Sequence, residues 1–452
     1  MALEIPQVKQ HTFFQRIQWI ADPVGYMENA VQDNPDLFAA EVLGFGNSIV
    51  FVNHPEAIKE LLSKDRQRFP ALGSKNGILR PLVGDNSIFL LSDDRHQKRR
   101  KLLLPPFHGE RMHTYGKLIR DLTLNIFNQL SPGETFTART LTQDVSLKVI
   151  LEAVYGLDKG GRSQKLRELM TQIADAFNSP LTSSLLFFRW LQQDWGAWSP
   201  WGKFLRQQQE LDEAIYQEIA SRRANQEPKR QDILSLLMSA TDEAGNPLTN
   251  QELRDELMTL MFAGHETTAT SMAWAMYWIH HLPEVKRKLI AEIASLGDNP
   301  DPMAIMKLPY LNAICQETFR IYPVAMLTFP RVAQNSDELF GYKVKPGQVF
   351  LGCIYLTHQR EDIYPEPKKF KPERFLDKQF SPYEFVTFGG GSRRCIGEAL
   401  AQFEMKMAIA TILSNYDLTL ANNFPEKPAR RGVTLAPGTG VKMIFKGIAI
   451  RG

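Results

Sequence analysis

The sequence predicts a mainly α protein carrying small β-sheets. Helical periodicity starts at a capping sequence, Thr249-Asn250-Gln251-Glu252, and runs to about His281, where Leu282-Pro283 stops it. Such a helix has about 32 residues and spans about 48 Å, enough to cross a whole domain. Leu400, Phe403, Met407 and Ala410 recur at helical spacing and mark a second apolar-faced helix. The strand signals, by contrast, are few and short. No repeat, low-complexity linker or charge block divides the chain. Residues 1–452 are therefore expected to form one domain, β-rich at about 35–70 and 325–360 and in the C-terminal strands, and helical elsewhere.

Composition narrows the function classes. A hydrophobic content of 43% with 23% charged residues is ordinary for a globular chain, and a net charge of +3 is too small to argue for nucleic acid. Cysteines number three, Cys315, Cys353 and Cys395, which fits a reducing compartment better than a disulfide framework. Near the N-terminus Phe13, Phe14, Ile17, Trp19 and Ile20 are interrupted by Gln15, Arg16 and Gln18. No run there approaches the ~20 apolar residues of a membrane span. The expectation is a cytoplasmic monomer.

In chain order, residues 38–43 and 48–53 read as two strands joined by a Gly44–Asn47 turn, and Pro55 opens a short helix through Leu62. Residues 69–91 read as a loop region, more apolar at Leu79, Ile88 and Phe89 than solvation requires. Packing on the core or a ligand-cavity wall would each explain that. A basic helix follows from Ser92-Asp93-Asp94, with His96 and Arg100 four apart on one face and Lys98, Arg99 and Lys101 expected elsewhere. Residues 112–170 read as helices. Residues 177–205 concentrate Trp190, Trp195, Trp198 and Trp201 with Phe177, Phe187, Phe188 and Phe204, as a core, a lid over a cavity or a lipid-contacting patch.

The middle of the long helix is the next anomaly. Gly264 weakens a helix by about 1 kcal/mol relative to alanine, and a buried carboxylate such as Glu266 needs partners. His265-Glu266-Thr267-Thr268 begins like a zinc-protease helix, but Ala269 stands where the second histidine ligand belongs. A later helix, Leu311–Ile321, carries Glu317 and Arg320 three apart, and Pro323 ends it. Strands follow around 339–344, 349–355 and 433–446.

The last signal is Phe388-Gly-Gly-Gly-Ser-Arg-Arg-Cys395-Ile-Gly397, a glycine-rich loop leading through one cysteine into a helix. The helix N-terminus and Arg393 and Arg394 favour a thiolate at Cys395. A zinc site lacks further ligands nearby, a phosphate loop lacks Gly-Lys-Ser/Thr, and a nucleophile elbow lacks its last glycine. A lone ligand to a haem remains, beside the plain alternative of a buried structural cysteine.

Phe388, Gly391, Arg393, Cys395 and Gly397 fill Phe-x-x-Gly-x-Arg-x-Cys-x-Gly, which resembles the haem-binding loop of the cytochrome P-450 family. Three more motifs agree in order: His96 with Arg100, Ala263-Gly-His-Glu-Thr-Thr268, and Glu317/Arg320 with Arg374 of Pro372-Glu-Arg-Phe375. The resemblance covers about residues 35–450 and implies a triangular helical prism with a β-rich region. It implies haem b held by Cys395 on the iron, with Phe388, Gly389, Ala263, His96, Arg100, Arg331 and Arg393 as cofactor-binding residues. Thr267, Glu266 and Gly264 would be catalytic, serving proton delivery to dioxygen. Glu317, Arg320 and Arg374 would be structural. Leu79, Ile88, Phe89, Phe177, Leu260, Ala263, Ala325, Met326 and Leu327 would line the substrate pocket.

The implied activity is a monooxygenase that inserts one oxygen atom of O2 into a lipophilic substrate, a fatty acid, terpenoid or aromatic secondary metabolite. Without a nucleotide or flavin motif, electrons are expected from a ferredoxin and its reductase, docking on a basic face of Arg99, Lys101, Arg394 and Lys406. An oxidative coupling enzyme or a peroxygenase on the same fold, and a haem-bound sensor or carrier, are the rival readings.

Overall fold

A computed structural model describes residues 2–42, 48–107, 111–156, 161–176, 185–186, 189–225, 230, 232–241 and 245–449. Helices dominate them, with short strands between, as the periodicity predicts. The chain forms two compact units: Met1–Ala71, Phe107–Ser146 and Glu266–Gly452 make the first, Leu72–Pro106 and Leu147–His265 the second.

The first unit holds the main sheet. Strands β1 (Leu37–Ala40) and β2 (Ile49–Val52) pair antiparallel with Leu37 opposite Val52, the expected hairpin, whose Gly44–Asn47 turn lies outside the described residues. With β3 (Arg331–Val332) and β4 (Val349–Gly352) they form a sheet in the order β1-β2-β4-β3, where β2 and β4 run parallel. Leu37, Ala39, Val50 and Val52 pack with Ile58 and Leu61 of helix α1 (Pro55–Ser63), while Phe38, Ala40, Ile49 and Phe51 pack with Trp19 and Tyr26. Covered on both faces, the strands become nearly unbroken apolar runs with weak alternation. Phe51 is fully buried, stacked on Phe38 at 5.1 Å and edge-on to Trp19 at 5.6 Å. Burial of that ring stabilises the fold by about 3 kcal/mol.

Strands Thr135–Thr137, Tyr416–Leu420 and Lys442–Ile448 form a second sheet. The first of these lies in a region expected to be all helix, and three residues are too few to leave a period. Residues 349–355 divide into β4 and a short helix, Ile354–His358.

In the second unit, residues 69–91 are more ordered than a loop: a 3-10 turn at Gly73–Leu79 runs into a one-turn helix, Arg80–Val83. Pro81 starts that turn and Gly84, at φ +82°, ends it; a Cβ there would lie 2.1 Å from the Asp255 carboxylate. The basic helix α2 is Asp93–Leu103; Ser92 precedes it without a capping bond, its Oγ accepting instead from the Gly73 N–H at 2.8 Å. Helix α3 spans Ala138–Tyr155 and α4 spans Pro200–Ala224. Trp201 is buried against Phe204, whereas Trp190, Trp195 and Trp198 are exposed; Phe177, Phe187 and Phe188 lie outside the described residues.

The long helix, α5, is Asn250–His281. Its predicted capping box forms: Glu252 accepts from the Thr249 N–H at 3.0 Å, and the Glu252 N–H donates to Thr249 Oγ1 at 3.2 Å. Helices α6 (Pro309–Ile321) and α7 (Glu398–Asn415) follow the expected periods. Among the described residues no helix is long and apolar enough to cross a membrane.

Candidate active site

Environment separates the three cysteines. Burial pushes the thiols of Cys315 and Cys353 up to about 12, so both stay protonated, whereas Cys395 is exposed. Its loop is held from behind. The Cys395 N–H donates to the Phe388 carbonyl at 2.9 Å, and Phe388 sits edge-on to Phe319 at 5.3 Å. Gly389 and Gly391 take φ of +68° and +64°, which glycine adopts without strain. Asp65, buried just beyond α1, accepts from the Ser392 N–H at 2.7 Å and from Ser392 Oγ at 2.8 Å. A Cβ on Gly391 would lie 2.4 Å from that carboxylate.

Arg331 on β3 is fully buried and reaches the same loop, Nη2 donating to the Gly390 carbonyl at 3.1 Å and pairing with Asp65 at 3.4 Å. Burial lowers its pKa to about 10, so it remains a cation near neutrality. Its buried Nε has no hydrogen-bond partner among the described residues. Arg393 is buried too, Nη2 donating to the Ala71 carbonyl at 2.8 Å. Asp65 was not legible as a site residue, because Ser63-Lys-Asp-Arg-Gln-Arg68 reads as a solvated charge run.

Helix α5 is buried along most of its length, yet Leu260, Ala263, Gly264 and Thr267 are all partly exposed. Their spacing puts them on one stripe of the helix. Glu266 is anchored to one side: Oε1 accepts from Arg139 Nη2 at 2.5 Å and from Thr270 Oγ1 at 3.2 Å, and Oε2 from Gln143 Nε2 at 2.8 Å. Arg139 and Gln143 open α3, where nothing in the sequence set them apart from ordinary helix polarity. Gly264 has a packing reason that offsets its cost to the helix. The helix continues through it, and a Cβ there would lie 2.6 Å from Ile150 Cδ1 of α3.

Beneath the loop, Glu317 and Arg320 of α6 are wholly buried. Glu317 Oε2 accepts from Arg320 Nε at 2.6 Å, and Oε1 accepts from Arg320 Nη2 at 2.9 Å, the Lys371 N–H at 2.8 Å and Arg374 Nε at 3.1 Å. Arg320 also donates to the carbonyls of His358 and Pro367.

In the second unit, the buried side of α2 carries His96, Arg99 and Leu103, with Arg100 partly buried beside them. This corrects two sequence expectations. Arg99, three residues from His96, turns inward and bonds Glu252 at 2.6 Å and Glu256 at 2.7 Å. Lys406 is also buried, on α7, donating to the Met306 carbonyl at 3.4 Å. Neither belongs to a basic surface. Of the expected pocket residues, Ile88 is buried and Leu79 and Phe89 partly so. Met326 packs into the core with Leu351 and Tyr355, and Ala325 is exposed. Leu327 packs partly against the same core, and Phe177 lies outside the described residues.

The cytochrome P-450 family model matches residues 6–443. The chain belongs to the cytochrome P-450 family. Cytochrome P-450 135B1 of Mycobacterium tuberculosis is 32% identical over 90% of this chain and 84% of that protein. Cytochrome P-450 138 of Mycobacterium bovis is 28% identical over 98% of this chain and 96% of its own. Among solved structures, the retinoic acid-bound cyanobacterial CYP120A1 superposes with a TM-score of 0.86 at 21% identity, covering 99% of this chain and all of that one. The haem domain of the cytochrome called P-450DA superposes at 0.84, also 21% identical, covering 99% and 98%. These likenesses establish the P-450 fold.

The cytochrome is accordingly a haem monooxygenase, and its cofactor is haem b. The residues present fit that group. Cys395 is the one cysteine not locked as a buried thiol, and the Arg331 Nε offers a buried cationic donor still without an acceptor.

Proposed function

We propose that this cytochrome oxidises a lipophilic substrate, with Cys395 as the iron ligand and Thr267 and Glu266 managing protons. The partly exposed stripe Leu260–Ala263–Gly264–Thr267, on a helix that is buried along most of its length, carries the reading. Haem b, once bound, supplies the activation of dioxygen, for which a thiolate ligand is suited.

The protein's own contribution is placement and proton control. Asp65, Arg331 and the Phe388 carbonyl hold the loop so that the Cys395 sulfur keeps one position. Arg331 and Arg393, with His96 and Arg100 of α2 by their motif spacing, neutralise the cofactor's propionates; Phe388, Gly389 and Ala263 complete its surroundings. The Thr267 hydroxyl holds a proton on the open stripe. Glu266 relays protons from outside, and its bonds to Arg139, Gln143 and Thr270 hold it oriented. Within the second unit Leu260, Leu79, Ile88 and Phe89 supply apolar surface, and within the first Ala325 and Leu327 do. A fatty acid, terpenoid or aromatic secondary metabolite suits them, with hydroxylation as the outcome. The Glu266–Thr267 pair argues against a peroxygenase or a non-catalytic carrier, neither of which needs proton delivery.

Thr267→Ala is expected to lower product formed per electron pair severalfold, with hydrogen peroxide accounting for the difference, because general-acid groups contribute about 10²–10⁴-fold. Stoichiometry of reductant, oxygen, peroxide and product measures it. Unchanged coupling would remove Thr267 from the relay.

Electron delivery by a ferredoxin and its reductase completes the reading. With Arg99 and Lys406 buried, the basic face on the first unit becomes Lys64, Arg66 and Arg394, beside an open cavity of about 310 Å³ lined by Lys64, Asp65, Arg66, Gln67, Tyr383 and Gly391. Lys64→Glu is expected to slow reduction by ferredoxin and flatten its salt dependence. A stopped-flow rate that ignores both the substitution and the salt would move the docking face elsewhere. The continuous family match supports one P-450 domain over 1–452. Cys315, Cys353 and Cys395 form no disulfide, which supports the cytoplasm, and monomeric behaviour belongs to the same proposal.

A further inference from the structure

The stripe bearing Leu260, Ala263 and Gly264 continues one turn back to Glu256, whose side chain is fully buried. Arg99 Nη1 donates to its Oε1 at 2.7 Å, and the Ile88 N–H also bonds the carboxyl group. Oε2 is buried with no hydrogen-bond partner among the described residues. Arg99 is shared, with Nη2 on Glu252 at 2.6 Å and Nη1 also on the Asn86 carbonyl at 3.1 Å.

Charge counting then places a proton. One guanidinium faces two carboxyl groups. Asp255, the nearest further anion, is occupied by Arg254 at 3.0 Å and by the Asn86 N–H, while Arg254 also pairs with Asp212 of α4. Burial disfavours ionisation of Glu252, but its Thr249 hydrogen bonds and Arg99 outweigh that and lower its pKa. For Glu256 burial wins over Arg99 and pushes the carboxyl up to about 8. Two such environments side by side divide into one carboxylate and one acid. Since N–H donors occupy Oε1, the acid's hydrogen sits on Oε2, a buried donor with no acceptor.

We propose that Glu256 is a specificity-determining residue whose Oε2 donates a hydrogen bond to a carbonyl oxygen of the substrate. The inference rests on the reading of the α5 stripe as substrate-facing. Ile88, bonded to the carboxyl through its N–H, is the adjoining apolar wall. Glu256 and Gly264 are eight residues apart, so the carbonyl lies about 12 Å along the helix from the oxidised position. The ligand class is therefore a long apolar molecule with a neutral oxygen acceptor near one end.

The test is equilibrium dialysis of the haem-loaded full-length protein with tridecan-2-one and tridecane, which differ in that oxygen. At pH 7 the ketone is expected to bind about tenfold tighter. Glu256→Gln, whose amide still donates, keeps the preference; Glu256→Leu, with Arg99 still paired to Glu252, loses it. Between pH 7 and 9.5 the wild-type preference fades as the donor ionises, while that of Glu256→Gln persists. No preference in the wild type at pH 7, survival of the preference in Glu256→Leu, or a wild-type preference flat across this pH range overturns the proposal. Should Glu256→Leu fail to fold, the pH comparison of wild type with Glu256→Gln decides alone. The carbon monoxide adduct of the same reduced preparations reports separately on sulfur ligation: its failure would sink the proposed function, whereas dialysis reads Glu256 directly.

Discussion

Cys395→Ser is expected to fold, since the exposed Sγ carries no core packing, and to lose monooxygenase activity by more than about 100-fold. The backbone frame of the loop does not depend on the sulfur: Asp65 still holds Ser392, Arg331 still holds Gly390, and the residue 395 N–H still meets the Phe388 carbonyl. Serine presents an oxygen that does not ionise near neutrality, so the donation from sulfur that suits haem to oxygen activation disappears. The measurement is the spectrum of the reduced protein under carbon monoxide, alongside turnover and a melting curve. A sulfur-ligated spectrum persisting in the variant would assign the iron to another residue. Loss of folding would instead mean that the thiol has a structural part.

Glu317→Ala is expected to be the most destabilising single substitution, costing about 3–5 kcal/mol, because it strands a buried cation. Arg320 has no exposure, and among the described residues Glu317 is its only carboxylate contact. Its remaining bonds are to carbonyls, and its guanidinium lies 5.1 Å from the centre of the Tyr364 ring. The same change releases the Lys371 N–H and Arg374, so the segment entering the cysteine loop loosens as well. Denaturant unfolding and haem content per chain measure the two consequences. Glu317→Leu combined with Arg320→Met, which removes both charges, should recover part of the loss. A Glu317→Ala protein as stable as wild type would reduce the triad to an incidental contact.

How the sequence compares with the structure depends on the range of each signal. The span of α5, its capping box and the helix after Cys395 were legible because period and cap are local. The burial of Glu317 and Arg320 was legible only through family resemblance, since an i,i+3 pair looks the same on a surface. Arg99 shows the opposite limit. In a run of ten polar residues, Ser92–Lys101, it resembles its exposed neighbours, and only its helical phase relative to Glu252 and Glu256, more than 150 positions away, turns it inward. Met326 packs with Leu351 and Tyr355 in the core, a placement that nothing local sets in an isolated extended segment.

By itself, then, the sequence determined the helical class, the family and the four chemistry-bearing motifs, since each is written in consecutive or periodically spaced residues. Tertiary structure decided which charges are interior, which carboxyl group keeps its proton and what holds the cysteine loop through Asp65 and Arg331. Those depend on desolvation and on partners distant in the chain, and neither quantity is carried by residue type alone.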